Sequence, residues 1–340
     1  MTEHKLLVGI LSGDRKQKGF SGDETFFRNI QDELTTRGGK CFVFTPLGIQ
    51  EKTIEGFVFE NNGWKKKTFP YPSVVYNRLP SQKAEKKLNA FFKRLQQDHI
   101  PYFNPRFIDK WEMYERLVNV QKLDIHLPRT EILTDSEKAF TFLKKHSFIY
   151  VKPINGKTGN GIVTLMYQDE NNIVLKTQSH SKIITSRDVY HFFSTLIRQS
   201  QTGFILQQGI TLNEWNEQKY DFRILLLKPH IEWKVIGIGV RATNINNITT
   251  HTLRGGTILP LDRIRPKVNV KKLTIIVEQI VTELNRLFPT FKECSLDIGR
   301  DEDGNFWLFE MNTKPMSFDE QDIERKRIVE LVNAFQTVTK

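Results

Sequence analysis

The sequence predicts a mixed fold, an α/β domain followed by a larger α+β region, and three observations carry that reading. The chain opens in strand, helix, strand order, with apolar Leu6 to Leu11, a helix from about Asp23 to Arg37, and a strand at Cys41 to Thr45. That is the start of a βαβ unit. Beyond about residue 105, strands follow one another with few helices between them, which is an α+β order. At 340 residues, the chain exceeds the usual size of one compact core, so two or three subdomains are expected.

Each element has a local reason. After the loop Ser12 to Gly22, the helix and the strand at Cys41, the segments Gly56 to Glu60 and Trp64 to Phe69 flank Asn61-Asn62-Gly63, a hairpin turn. A strand at Ser73 to Asn77, a helix from Gln82 to Gln97 and a short strand end at Tyr102 to Asn104 close the first domain, residues 1–105. A second unit, 106–205, holds a helix from Asp109 to Val120 and the strand Thr130 to Leu133. A helix capped by Asp135 or Ser136 follows, then the strand Phe148 to Lys152, which stops at Pro153. Strands at Ile162 to Tyr167 and Asn172 to Thr177, a helix from Ser186 to Gln199 and a strand at Phe204 to Gln208 follow. A third unit, 206–340, has long strands at Tyr220 to Leu227 and Trp233 to Arg241, and a helix near Lys271 to Leu287. Strands at Ser295 to Gly299 and Asn305 to Met311 and a closing helix complete it. The sequence has no internal repeat and no low-complexity segment.

Composition excludes several classes. With 39% hydrophobic residues and 25 Phe, the chain can bury a sizeable core and does not read as disordered. No apolar run reaches a membrane span, and the opening lacks a signal-peptide pattern, so the expected location is cytoplasmic. Cys41 and Cys294 lie far apart in strand-like segments, which suits buried thiols in a reducing compartment. The net charge of +11 is spread along the chain without a nucleic-acid motif, so nucleic acid is not the expected partner; an anionic small substrate would use the same field.

The strongest constellation lies near the C-terminus. Leu296-Asp297-Ile298 falls on one apolar strand and Phe309-Glu310-Met311-Asn312 on the next, across a turn at Asp301 to Gly304. Strand period two puts residues 310 and 312 on one face, and adjacent antiparallel strands bring Asp297 beside them. Hard oxygen donors in such a setting suit Mg²⁺ that bridges nucleotide phosphates, because buried acids without a cation would be costly. A second constellation is Tyr150-Val151-Lys152-Pro153 followed by a loop containing Gly156, Lys157, Gly159 and Gly161. A strand-end lysine can reach phosphates and glycines let backbone amides fold over them, although the loop fits neither the Walker pattern nor the dinucleotide fingerprint. Lys110 opens a helix, and Gln207, Gln208 and Ile210 form a hinge that can present backbone groups to an adenine edge, with Glu214 available for the ribose. Arg223, in Asp221-Phe222-Arg223, and Arg241 would face phosphate. Any one of these residues, taken by itself, reads more readily as a surface salt bridge.

The order of these motifs resembles the ATP-grasp superfamily. Lys110, VKP with its glycine loop, the hinge, DFR, Arg241, Arg254-Gly255-Gly256, LDI and FEMN extend the resemblance over about residues 100–318. The phrases VVYNRLP, FNPRFIDKW, QQGI and DFRILL look like the endospore-coat-associated YheC/YheD-type group. The resemblance implies an ATP-grasp fold with an N-terminal Rossmann-like pre-ATP-grasp domain, Mg-ATP as cofactor, and a spore-associated setting. It implies that Lys110 and Lys152 hold phosphates, that the loop covers them, and that Asp297, Glu310 and Asn312 bind Mg²⁺. Arg241 or Arg254 would steady an acyl phosphate formed when a carboxylate attacks ATP, before an amine displaces phosphate. Two departures stand out: Gln207 replaces a glutamate common in the hinge, and NTKP, with Lys314, replaces N-S-x-P-G after the metal strand.

Loops after strand ends in the first domain are expected to complete the substrate cleft, which selects Ser12, Asn77 and Arg78, the last as a bidentate partner for an acidic group or, equally, as a member of a structural salt bridge. Two other readings share the same motifs: an ATP-binding spore-coat module without turnover, and a kinase that phosphorylates a hydroxyl.

Overall fold

A computed structural model describes residues 6–15, 19–120, 127–156, 159–264 and 268–339. Among them, three six-stranded sheets and one small hairpin form the framework. In the first sheet, Leu7–Leu11 pairs in parallel with Lys40–Ile49 on one side and Val74–Asn77 on the other, the βαβ arrangement the sequence predicts. Its apolar run follows from this central position. The hairpin Ile54–Glu60/Gly63–Phe69 extends that sheet, and Asn61 (φ 49°) and Asn62 (φ 62°) supply the left-handed pair that matches strand twist.

Two local expectations change. The loop Ser12 to Gly22 contains a short hairpin, Asp14–Arg15 with Gly19–Phe20, pinned by buried Phe20. The single helix expected at Gln82 to Gln97 is two, Gln82–Lys87 and Asn89–Gln97, with Leu88 at φ −102°, ψ 18° between them. The break lets Glu85 point into a polar interior while Phe91, Phe92 and Leu95 join the apolar core.

The second sheet is antiparallel throughout and is covered by the helices Ser136–His146 and Ser186–Gln199, whose Phe140, Phe142, Leu143, Val189 and Phe193 form its core. Asp135 caps the first helix, and Thr185 with Asp188 forms a capping box on the second. Phe204–Gln208 pairs with both Phe148–Pro153 and Thr130–Ile132, so the chain leaves this sheet after Gln208.

The third sheet runs Thr257–Leu259, Lys234–Asn244, Gln218–Leu227, Glu293–Arg300, Phe306–Asn312. The strand Gln218–Leu227 ends in a continuous apolar run because both faces are covered. Ile224 and Leu226 pack with Leu273, Ile276 and Ile280 of the helix Val270–Leu287, whereas Leu225 and Leu227 pack with Leu331, Val332 and Phe335 of the closing helix Gln321–Val338. That closing helix also packs on Phe26, Ile30 and Leu34 of the first domain, which makes one core shared by the first domain and the last sheet. Inside it, the fully buried Arg327 pairs with the fully buried Glu293 at 2.7 Å. Cys41 and Cys294 are free and buried. No helix among the described residues is long and apolar enough to cross a membrane.

Candidate active site

A cleft of about 700 Å³ lies between the second and third sheets, with one end walled by the first domain. Antiparallel pairing sets Asp297 directly opposite Glu310, and a bulge follows at Asp297/Ile298. Such bulges re-aim side chains at strand ends. Asn312, two residues beyond Glu310, places its amide nitrogen 3.5 Å from Asp297 Oδ2. All three line the cleft.

Cations surround these carboxylates. Arg241 donates to Asp221 at 3.1 Å and to Asp297 at 2.9 Å. Burial alone would weaken the arginine's hold on its proton, but Asp221 and Asp297 outweigh that and raise its pKa. Burial pushes the Asp221 carboxyl up, Arg241 opposes this, and Asp297 adds to it. Lys110 Nζ lies 3.4 Å from Glu310 Oε1 and donates to the Gly156 carbonyl at 2.7 Å, which ties the first helix of the second unit to the glycine loop. Lys152 donates to Gln207 Oε1 at 2.6 Å. Burial lowers its pKa from 10.5 to about 8, with the Lys110 charge acting in the same direction against Glu310 and Asp297. Arg223 also lines the cleft; it donates to the Met316 carbonyl at 3.0 Å, while its Nε is buried with no hydrogen-bond partner among the described residues.

The glycine loop and hinge reach the same space through Gly156, Gly159, Gln207, Gln208 and Ile210. Gly159 sits at φ +71°, a conformation that glycine adopts without strain. Gly161 has φ +72° but does not line the cleft. Lys157 lies outside the described residues.

Five further expected residues lie elsewhere. Ser12 is buried and donates to the Ser21 carbonyl. Asn77 is buried and donates to Glu85 at 3.2 Å and to the Asn104 carbonyl at 3.0 Å. Arg78 donates to the Pro315 carbonyl at 2.8 Å and lies 3.7 Å from Glu293. None of the three lines the cleft. Arg78 is taken up by the junction with residues 313–318, whereas Ser12 and Asn77 satisfy partners inside the first domain, so none of the three faces a ligand. Glu214 is exposed on a short strand opposite Lys219 and does not line the cleft. Arg254 sits in a 3₁₀ turn whose carbonyl accepts from Gln178, also off the cleft lining.

Sequence reasoning missed other lining residues. Lys219 reaches the Asn247 carbonyl, and its pKa is lowered to about 8 by burial and by Lys176. Thr250 hydrogen-bonds Asp221, and His251 has its pKa lowered by burial and by Arg241 and Arg223. The first domain contributes Lys83, Lys86 and Lys87. Their only sequence signal is three lysines on one side of a predicted helix, which reads as an ordinary solvated face.

The donor set fits Mg²⁺. Two carboxylates and a carboxamide are hard oxygen donors, and no cluster of three or more His, Cys, Asp and Glu exists among the described residues. A partial protein shell completed by phosphate oxygens and water is the arrangement Mg²⁺ favours.

A cleft held between two antiparallel sheets in this way is the arrangement of the ATP-grasp fold, and the solved structures it resembles bear that out. D-alanyl-alanine synthetase A from Vibrio cholerae aligns over 99% of both chains with a TM-score of 0.59 at 12% identity. The macrocyclase MdnC from Microcystis aeruginosa, bound to its precursor peptide MdnA, aligns over 96% of this chain and 99% of its own, with a TM-score of 0.56 at 15% identity. The ATP-grasp ligase PsnB, complexed with minimal precursor, Mg and ADP, aligns over 98% of both with a TM-score of 0.54 at 16% identity.

Within that fold the family is narrower: residues 99–335 match the model of the YheC/D-like ATP-grasp proteins, and the chain belongs to that family. It is 32% identical to the endospore coat-associated protein YheD of Bacillus subtilis (strain 168) over 328 residues, 91% of this chain and 72% of YheD. It is 22% identical to YheC of the same organism over 293 residues, 80% of this chain and 79% of YheC.

Proposed function

We propose that the chain is a Mg-ATP-dependent carboxylate–amine ligase that works through an acyl phosphate. The observation that carries this reading is the juxtaposition, in one cleft, of Asp297, Glu310 and Asn312 with Lys110, Lys152, Arg223 and Arg241. Carboxylates for a divalent cation and amines and guanidinium groups for phosphates face one another, as transfer of a phosphoryl group requires. The fold is also that of D-alanyl-alanine synthetase A and of the ATP-grasp ligase PsnB.

In this reading Asp297, Glu310 and Asn312 hold Mg²⁺, which would neutralise phosphate charge. Lys110 and Lys152 hold phosphate oxygens and exchange their present partners, Glu310 and Gln207, for them. Gln207, Gln208 and Ile210 receive the adenine edge through backbone groups. Gly156 to Gly161, with Lys157, covers the phosphates, and Arg241 steadies the developing acyl phosphate. A carboxylate oxygen forms a bond to the γ-phosphorus as the bond to ADP breaks; the amine then attacks the acyl carbon, and inorganic phosphate leaves. Positioning and charge neutralisation supply the rate, without a protein nucleophile. A setting in spore formation follows the endospore-coat description of its relatives.

The test is a screen of acids and amines for ADP and phosphate release, with hydroxylamine replacing the amine. A hydroxamate that disappears in Lys152→Ala supports the ligase. A stable phosphorylated alcohol would replace it with a kinase, and ATP binding without turnover across the panel would replace it with a binding module.

A further inference from the structure

The cleft has a second cationic surface that Mg-ATP does not account for. Ser81, Gln82, Lys83, Lys86 and Lys87 line its first-domain end. Along the helix Gln82–Lys87, residues 83, 86 and 87 are three and four apart, so they share one side. All three are exposed, and none has an ion-pair partner among the described residues. The helix also carries Glu85, which would ordinarily offset them. Glu85 is turned away and buried, where it accepts from Lys314, from Asn77 and from the Phe107 amide. The fold therefore hides the one acid of this helix and leaves its lysines facing the cleft. The departure at Lys314 has a physical role here, because it neutralises Glu85 and so keeps the carboxylate out of the cleft.

We propose that this end of the cleft is a subsite for an acidic peptide, one that carries further carboxylates beside the reacting one. The proposal rests on the ligase reading for which group reacts, but the binding surface stands on its own geometry. Lys83 and Lys87 are separated by about 6 Å along the helix axis. Alternate side chains of an extended peptide are separated by roughly 6.5–7 Å. An extended chain with acidic residues at every second position matches this spacing, whereas a single carboxylate would leave most of the lysine face unused. The nucleotide has its own cations in Lys110, Lys152 and Arg223.

The probe is a fluorescein-labelled pentaglutamate peptide, titrated by anisotropy at low salt against the full chain, with pentaglutamine and free glutamate as comparators. Lys83→Gln/Lys86→Gln/Lys87→Gln should weaken pentaglutamate binding at least tenfold. Lys65→Gln/Lys66→Gln/Lys67→Gln, the same charge change on the exposed hairpin, should alter it less than twofold. Calorimetric Mg-ATP affinity should be the same in all three proteins, which also confirms that each is folded. Equal losses in both triple variants would show a net-charge effect and overturn the subsite. So would pentaglutamine binding as tightly as pentaglutamate, free glutamate competing at equal concentration, or no binding at all. If Mg-ATP fails to bind any of the proteins while the peptide results hold, the ligase reading falls and the acidic-peptide subsite stands.

Discussion

Replacing Glu293 by Gln tests the packing that holds the strand carrying Asp297. Glu293 opens the strand Glu293–Arg300, which carries Asp297, and its carboxylate is fully buried. It accepts from Arg327 Nε at 2.7 Å, from Tyr76 at 2.7 Å and from Asn104 at 3.0 Å, so it joins the closing helix and the first domain to the last sheet. Neutralising it leaves Arg327 buried beside an amide, although Glu324 and the carbonyls of Pro315 and Met316 still accept from the guanidinium. Removal of one partner from a buried ion pair costs about 3–5 kcal/mol. For 340 residues unfolding together, the entropy of unfolding is about 0.7 kcal/mol/K, so Tm should fall by roughly 4–7 °C. Scanning calorimetry reads this directly. Glu293→Leu with Arg327→Met removes both members of the pair and should recover part of the loss: Arg78 and Glu324 each lose one partner, but Arg78 keeps the Pro315 carbonyl and Glu324 the Phe318 amide. A Tm for Glu293→Gln within one degree of the parent would refute the reasoning, as would a double variant less stable than the single one.

Three further outcomes follow from the cleft. Glu310→Gln with Asn312→Ala should weaken Mg-ATP binding by at least about tenfold, roughly 1.4 kcal/mol, measured by calorimetry; unchanged affinity would remove these residues from the metal site. Lys152, with its pKa held near 8 in the free chain, should gain a proton when phosphates pair with it. Calorimetry in buffers of different ionisation enthalpy should therefore show proton uptake near pH 8–9 that fades by about pH 6, where the lysine is already charged. Mg-ATP should slow amide exchange at residues 156 and 159–161; equal exchange with and without nucleotide would leave the segment an ordinary turn.

The parts of the site legible in the sequence are those governed by strand periodicity and local order. Asp297 opposite Glu310 with Asn312 two residues on follows from two strands and a short turn, and a strand-end lysine before a glycine loop is equally local. The residues misplaced were those whose surroundings come from distant segments. Asn77 and Arg78 lie at the end of a parallel strand, where ligands commonly bind, but Arg78 is used by the Pro315 carbonyl and Asn77 by Glu85 and the Asn104 carbonyl, so neither side chain is left for a ligand. Lys83, Lys86 and Lys87 were unreadable for the same reason: a lysine-bearing helix face becomes a cleft wall only when the first domain docks. Glu85 likewise finds its partner in Lys314, 229 residues away, which no local pattern shows.

The most direct measurement of the central claim uses a carboxylate substrate from the acid–amine screen, labelled with oxygen-18 in its carboxyl group, incubated with the protein, Mg-ATP and the amine. If the carboxylate attacks the γ-phosphorus and the amine then releases phosphate, one labelled oxygen passes from the acid into inorganic phosphate, which mass spectrometry detects in step with ADP formation. Unlabelled phosphate released alongside ADP would contradict activation through an acyl phosphate.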